Sequence, residues 1–294
     1  MGKGGKEMNY CNPEGFRNEV RQLVSKGRDT FFSWFDGPRG ENETADAAFA
    51  KAEDVFTRLM LPSAKKYLKK LSTKTSLDIG YGSGGQVLVA SRYFGKSYGL
   101  DVHEEKDFVM DELKSRGEDS NIELLIGDGQ IIPLPDESID FIHSWVTFMH
   151  LGTAEVTRKY LEEAFRVMNM SGIGVVFFSR MLRSKPHESW NEVLEDIEKE
   201  KEGKGFREGG PETRVRGINI QMAMWFMEDL LGEVGFELLD KTASWEVRNR
   251  SRLFFGQYGV IFRKPYIKKS KSKSTSSPDS TSYTSRLIRR SGSN

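Results

Sequence analysis

The chain has a single cysteine, Cys11, in 294 residues, which excludes an internal disulfide framework and a cysteine-built zinc or iron–sulfur centre. A reducing, cytoplasmic setting is the expectation. No apolar run approaches the length of a membrane span, and the polar, glycine-rich start Met1 to Lys6 lacks the apolar stretch of a signal peptide. Gly2 does not complete an acylation motif, because position 6 is Lys where Ser or Thr is required. Charge of one sign is also lacking overall. The formal net charge is +1, but nine Lys/Arg against one acid, Asp279, lie in 263–294, so the rest of the chain is mildly acidic. Such a body offers no general attraction for nucleic acid or anionic membranes. Only four histidines, His103, His143, His150 and His187, are available for proton transfer near neutral pH.

The most informative stretch is Leu77-Asp78-Ile79-Gly80-Tyr81-Gly82-Ser83-Gly84-Gly85. It reads as the end of a buried strand, a glycine turn, and the start of a helix over 86–94. Glycines there let the backbone turn tightly and approach a ligand that a Cβ would push away. Gly80, Gly82 and Gly85 also satisfy the dinucleotide pattern G-x-G-x-x-G, so this run alone leaves NAD open. Asp101, ending the next apolar run, can accept from both ribose hydroxyls of an adenosine, and serves either cofactor.

Two further segments go beyond that ambiguity. Ile122 to Gly129 is a short strand followed by the acid Asp128, and Pro133-Leu134-Pro135-Asp136-Glu137-Ser138-Ile139-Asp140-Phe141-Ile142 comes next. With these residues the chain resembles the class I S-adenosylmethionine-dependent methyltransferases, closely over about 75–180 and loosely over 222–262. The resemblance implies S-adenosylmethionine as cofactor. It implies that Asp128 meets the adenine amino group, that Asp101 holds the ribose, and that Asp78 acts near the methionine amino end. Gly80, Tyr81, Gly82, Gly84, Val102, Gly129 and Ser144 complete the expected cofactor-binding set. An isolated Asp at a strand end is otherwise a common helix cap or turn former.

Strands expected at 75–80, 97–101, 121–126, 139–144 and 173–179 alternate with helices at 85–93, 104–116 and 153–168. That order predicts an α/β fold with a doubly wound, mostly parallel seven-stranded sheet, the last two strands lying at 236–240 and 253–262. In the family these two form an antiparallel edge hairpin. Residues 1–71 form an N-terminal helical cap, with helical spacing over 13–35 and 44–71 and a break at Pro62. Phe31, Phe32, Trp34 and Phe35 either pack on the core or border the substrate cleft. The methyltransferase domain is expected over 72–263, with residues 182–220 as a lid insertion, and 264–294 as a disordered basic tail. The stripe Met222, Met224, Trp225, Phe226, Leu230, Leu231 and Val234 reads as core helix.

Methyl transfer requires alignment more than many catalytic groups. His150 and His143, flanking the segment after the fourth strand, are the candidate bases, with His187 third and His103 placed near the adenosine. The nucleic-acid amino-methylation signature and a Cys-Pro pair are both missing, and no acid set is evident as a metal site. O- or N-methylation of a small molecule or glycan is therefore the leading expectation. An RNA or protein methyltransferase recruited by the basic tail, and a non-catalytic cofactor-binding protein, are the alternatives.

Overall fold

The computed structural model describes residues 13–36, 44–117, 120–181, 190–201, 203–208, 218–244 and 257–266. Helices α1 (Pro13–Ser25), α2 (Arg28–Asp36), α3 (Ala45–Val55) and α4 (Leu61–Tyr67) precede the alternating unit. That unit runs β1 (Thr75–Ile79), α5 (Gly85–Ser91), β2 (Lys96–Asp101), α6 (Lys106–Ser115), β3 (Ile122–Ile126), β4 (Ile139–Ser144), α7 (Ala154–Val167) and β5 (Met168–Ser179). Then come α8 (Trp190–Lys199), β6 (Phe206–Glu208), β7 (Ile220–Met222), α9 (Met224–Val234), β8 (Glu237–Ala243) and β9 (Gln257–Arg263).

Seven strands form one sheet in the order β3-β2-β1-β4-β5-β9-β8. The first five are parallel, and β9 pairs antiparallel with both β5 and β8. Because side chains alternate along a strand, each central strand feeds two cores. Leu77, Ile79, Ile142, Val176, Phe178, Tyr258 and Phe262 face α7 and α9. Phe141, Val175, Phe177 and Ile261 face Phe56, Met60 and Leu61. A third cluster joins Val20, Phe31, Phe32 and Phe49 of the first three helices to Val87, Val109 and Leu113 of α5 and α6, so the cap is packed on the domain.

Several expectations are corrected. The segment 13–35 is two helices, because the chain turns at Gly27, φ +102°. Pro62 does not break its helix. A π-helical turn, Phe56–Met60, precedes it, and Pro62 falls in the first turn of α4, so the change from π to α winding lies at the proline and the helical run continues to Tyr67. Strand β5 begins at Met168 rather than 173, after an irregular pairing with β4 between Ile139 and Phe141. The region 182–220, expected as a lid, includes the charged helix α8 and most of an unexpected two-stranded sheet, β6 with β7; residues 182–189, 202 and 209–217 lie outside the described residues. The tail boundary at 264 is also too early. Lys264 is buried, its Nζ donates to Met168 O at 2.9 Å, and it lies over the Phe165 ring at 4.7 Å. The expected tail beyond Tyr266 falls outside the described residues.

The segment 132–140 is held by its surroundings. Arg166 donates to Leu134 O at 2.9 Å and Ile132 O at 2.8 Å, and Glu163 accepts from Ile132 N. Asp140 accepts from Lys74 Nζ and Thr75 N, tying the starts of β4 and β1 together.

The cap is locked electrostatically at Glu112 on α6. Arg28 of α2 donates to both carboxylate oxygens at 2.6 Å, and Arg116 Nε donates to Oε1 at 2.7 Å. Burial alone would raise this carboxyl's pKa, but the two guanidinium partners outweigh it and hold the group below the ordinary glutamate range. Glu112→Ala is expected to cost on the order of 2 kcal/mol in urea unfolding, less than a fully buried pair because the Arg28 side chain is half exposed. His143 on β4 is fully buried between Phe56, 5.2 Å between ring centroids, and Phe141, 5.5 Å. Burial pulls its pKa down to about 3, so the folded protein keeps it neutral. Below about pH 6.5 the unfolded chain takes up a proton here that the native state refuses, and stability falls as pH falls, by at most about 1.4 kcal/mol per pH unit. His143→Asn should flatten the stability–pH slope between about pH 6 and 4.5 by close to one proton.

Candidate active site

The carboxyl ends of β1, β2, β3 and β4 open on one side of the sheet, where ligands of doubly wound folds sit. Beyond β1 the backbone takes positive φ at Gly80 (+83°), Gly82 (+50°) and Gly84 (+78°). Gly80 N donates to Leu100 O at 2.7 Å and Gly84 N to Tyr81 O at 2.7 Å, closing the turn before α5. The Asp101 carboxylate organises what surrounds it. Its Oδ2 accepts from Gly82 N at 2.9 Å, and its Oδ1 accepts from Val102 N at 2.7 Å and His103 N at 3.3 Å. His103 is fully buried and returns to the same turn. Its Nδ1 accepts from Glu105 N at 3.2 Å, which leaves the proton on Nε2, and Nε2 donates to Gly82 O at 3.0 Å.

Asp78 and His143 stand side by side in the β1–β4 register, both buried, with His143 Nδ1 3.5 Å from Asp78 Oδ1. At that distance the pair is a contact rather than a formed hydrogen bond. Ser144 is buried too, and its Oγ donates to Ile79 O at 2.7 Å. Asp128 lies exposed after β3. Its Oδ1 accepts from Gln130 N and Ile131 N, both at 2.8 Å, shaping the turn that includes Gly129, φ +91°. Ile126 and Ile131, both exposed, flank it. Tyr81 packs on His103, ring centroids 4.9 Å apart, and burial, together with Asp101, Asp107 and Glu105, pushes its phenol pKa up.

Two side chains lie directly on the glycine turn. A Cβ built on Gly80 would stand 1.7 Å from Thr147 Oγ1, and one on Gly82 would stand 2.6 Å from Phe35 Cδ1. Thus of the four cap aromatics Phe35 reaches the turn, with Trp34 against it at 4.7 Å. Phe31 is core, packed on Phe108 and Phe35, and Phe32 is core against Phe49 and Phe108. Arg17 of α1 donates through Nε to Val102 O at 2.7 Å and through Nη2 to Gly127 O at 3.3 Å.

His150 follows the short 3₁₀ turn Thr147–Met149 and is partly exposed. Asn219, just before β7, clasps this turn: its N donates to Met149 O and its Nδ2 to His150 O, both at 2.9 Å. The structure therefore separates the two candidate bases. His150 lies on the rim after β4, whereas His143 is wedged between phenylalanines and its catalytic assignment gives way to a packing one. His187 lies outside the described residues. Arg17, Thr147 and Asn219 were not legible as site residues, since no local motif marks a side chain whose partners lie far along the chain. Among the described residues no cluster of three or more His, Cys, Asp or Glu side chains could hold a metal ion, and no helix is long and apolar enough to cross a membrane. A shallow cleft formed by Leu194 and residues 238–241 lies on β8, at the other edge of the sheet from β3.

Residues 77–176 match the family described as a methyltransferase domain. Among solved structures, the chain is similar to a S-adenosylmethionine-dependent methyltransferase from Methanosarcina mazei, 19% identical with a TM-score of 0.50, over 71% of this chain and 100% of that one. It is similar to a putative sarcosine dimethylglycine methyltransferase from Galdieria sulphuraria, 18% identical with a TM-score of 0.50, over 75% and 87%. It is also similar to the [4+2]-cyclase SpnF, 18% identical with a TM-score of 0.52, over 85% and 93%. At these identities the likeness is one of fold, and it agrees with the sheet order. The methyltransferase-domain match thus falls on β1 to β5, the part of that fold which carries the glycine turn, Asp101 and Asp128.

Proposed function

We propose that the protein is a class I S-adenosylmethionine-dependent methyltransferase and that its acceptor is a small molecule or a glycan unit, methylated on oxygen or nitrogen. The observation that carries this reading is the cap: α1 and α2 lie over the strand ends, with Phe35 on Gly82 and Arg17 on the loops after β2 and β3. Helices packed over the strand ends suit a compact acceptor better than a duplex or a folded protein surface, and the mildly acidic body gives no electrostatic track for nucleic acid.

The residues at the strand ends fit the cofactor. Tyr81 Oη and Gln86 Oε1, both buried at the glycine turn, have no hydrogen-bond partner among the described residues and can meet a polar ligand. Asp101 would hold the ribose hydroxyls while keeping its bonds to Gly82 N and Val102 N, since a carboxylate has about four acceptor sites. Ile126 and Ile131, beside Asp128, offer apolar area for an adenine with a carboxylate at its amino edge. Gly80, Gly82, Gly84, Gly129 and Val102 lie on the same set of turns, and Asp78 and Ser144 near the ends of the strands β1 and β4. S-adenosylmethionine, when bound, supplies a methyl group on a positively charged sulfur, open to in-line displacement. What remains for the chain is to exclude water, align the acceptor and take its proton. His150, partly exposed and held by Asn219 through its own carbonyl, is the group we assign to that proton.

Labelled cofactor incubated with the protein and a cell extract should mark the small-molecule fraction, read by mass spectrometry as products heavier by one methyl group. Label appearing only in RNA or protein would overturn the reading. Asp101→Ala should weaken S-adenosylhomocysteine binding at least about tenfold by calorimetry, because it removes charge-assisted bonds worth about 1.5–3 kcal/mol each. His150→Ala should leave that affinity unchanged while turnover falls by roughly 10²–10⁴-fold, and unchanged turnover would remove His150 from the mechanism.

A further inference from the structure

We infer that Arg17 is a positioning residue for the cofactor: its guanidinium latches helix α1 to the two loops that carry Asp101 and Asp128, and so governs how fast the cofactor and its demethylated product exchange. The inference rests on the assignment of Asp101 and Asp128 to the adenosine.

Val102, whose carbonyl accepts from Arg17 Nε at 2.7 Å, directly follows Asp101. Gly127, whose carbonyl accepts from Nη2 at 3.3 Å, directly precedes Asp128. The two loops are already joined by Gly127 N donating to Asp101 O at 2.7 Å. One fork-shaped cation therefore bridges both, and it does so with main-chain oxygens, which no substitution in the loops themselves removes. The same helix brings Phe16 within 6.0 Å of Trp34, 6.3 Å of Phe35 and 6.5 Å of His103, ring centroid to ring centroid. Phe35 in turn lies on Gly82, whose N–H is bound to Asp101. Releasing Arg17 thus frees α1, and with it the aromatic contacts over the glycine turn. Arg21, one turn further along α1, pairs among the described residues with Asn18 of its own helix and with exposed Glu104, at 3.1 Å, and with neither carbonyl.

This contrast supplies the control. In the full chain, dissociation of S-adenosylhomocysteine is followed by displacement with excess S-adenosylmethionine. Arg17→Ala should release it about tenfold or more faster, the factor expected from losing a charged donor to two carbonyls, and raise the cofactor KM with kcat nearly unchanged. Arg17→Lys, which can keep one of the two bonds, should lie between, and Arg21→Ala should release at the wild-type rate. Hydrogen exchange over 13–36 in the S-adenosylhomocysteine complex should quicken in Arg17→Ala and not in Arg21→Ala. A wild-type release rate in Arg17→Ala would overturn the latch. So would equal acceleration by Arg21→Ala, which would reduce Arg17 to one more contributor to helix stability. Absence of S-adenosylhomocysteine binding by the wild-type protein would be a different failure, that of the cofactor-site assignment on which the latch depends.

Discussion

A buried carboxylate must be satisfied, and at Asp101 that requirement shapes the strand ends. Its two oxygens collect N–H groups from Gly82, Val102 and His103, so the turn after β1 and the loop after β2 share one anchor. The His103 ring, oriented by Glu105 N, donates back to Gly82 O and closes the circuit. Glycine is needed at 82 for two separate reasons: the positive φ that turns its N–H toward Asp101, and the Phe35 ring that leaves no room for a Cβ.

On this anchor sits a cap that is apolar against the domain and charged at its edges. Phe31, Phe32 and Phe49 bury their area on α5 and α6, while Glu112 draws together Arg28, Arg116 and, through Arg116, Asp46 of α3. The apolar contacts hold the helices down, and the ion pairs fix where they lie. Both together keep α1 and α2 over the strand ends.

The segment Pro133 to Ile142 illustrates how a family signature and a ligand contact can differ. It carried much of the resemblance, yet its described contacts are internal. Arg166 of α7 holds its backbone at Leu134 O, Glu163 holds Ile132 just before it, Ser138 Oγ donates to Pro135 O, and Asp140 ties β4 to β1. Similarly, Lys264 looked like the first residue of a charged tail, because Lys is a solvent-seeking residue in sequence. Phe165, Met168 O and Glu137 together make burial of its ammonium tolerable.

Local information was enough for the alternating elements, the glycine turn and the acids at the strand ends, because apolar periodicity, positive φ and strand-end capping are set by neighbours in sequence. The parallel sheet and its antiparallel edge follow from element order and from the family resemblance. The π turn before Pro62, the two-stranded sheet of β6 and β7, and the early start of β5 were not legible, since each is decided by what packs against it. The roles of the histidines divide the same way. Sequence placed His143 and His150 either side of one short loop. Only the tertiary structure set His143 between Phe56 and Phe141, where desolvation keeps it neutral, and left His150 on the rim under the clasp of Asn219. Arg17 and Asn219 reach partners some 70 to 110 residues away, and such pairings come from the packed fold, not from any pattern along the chain.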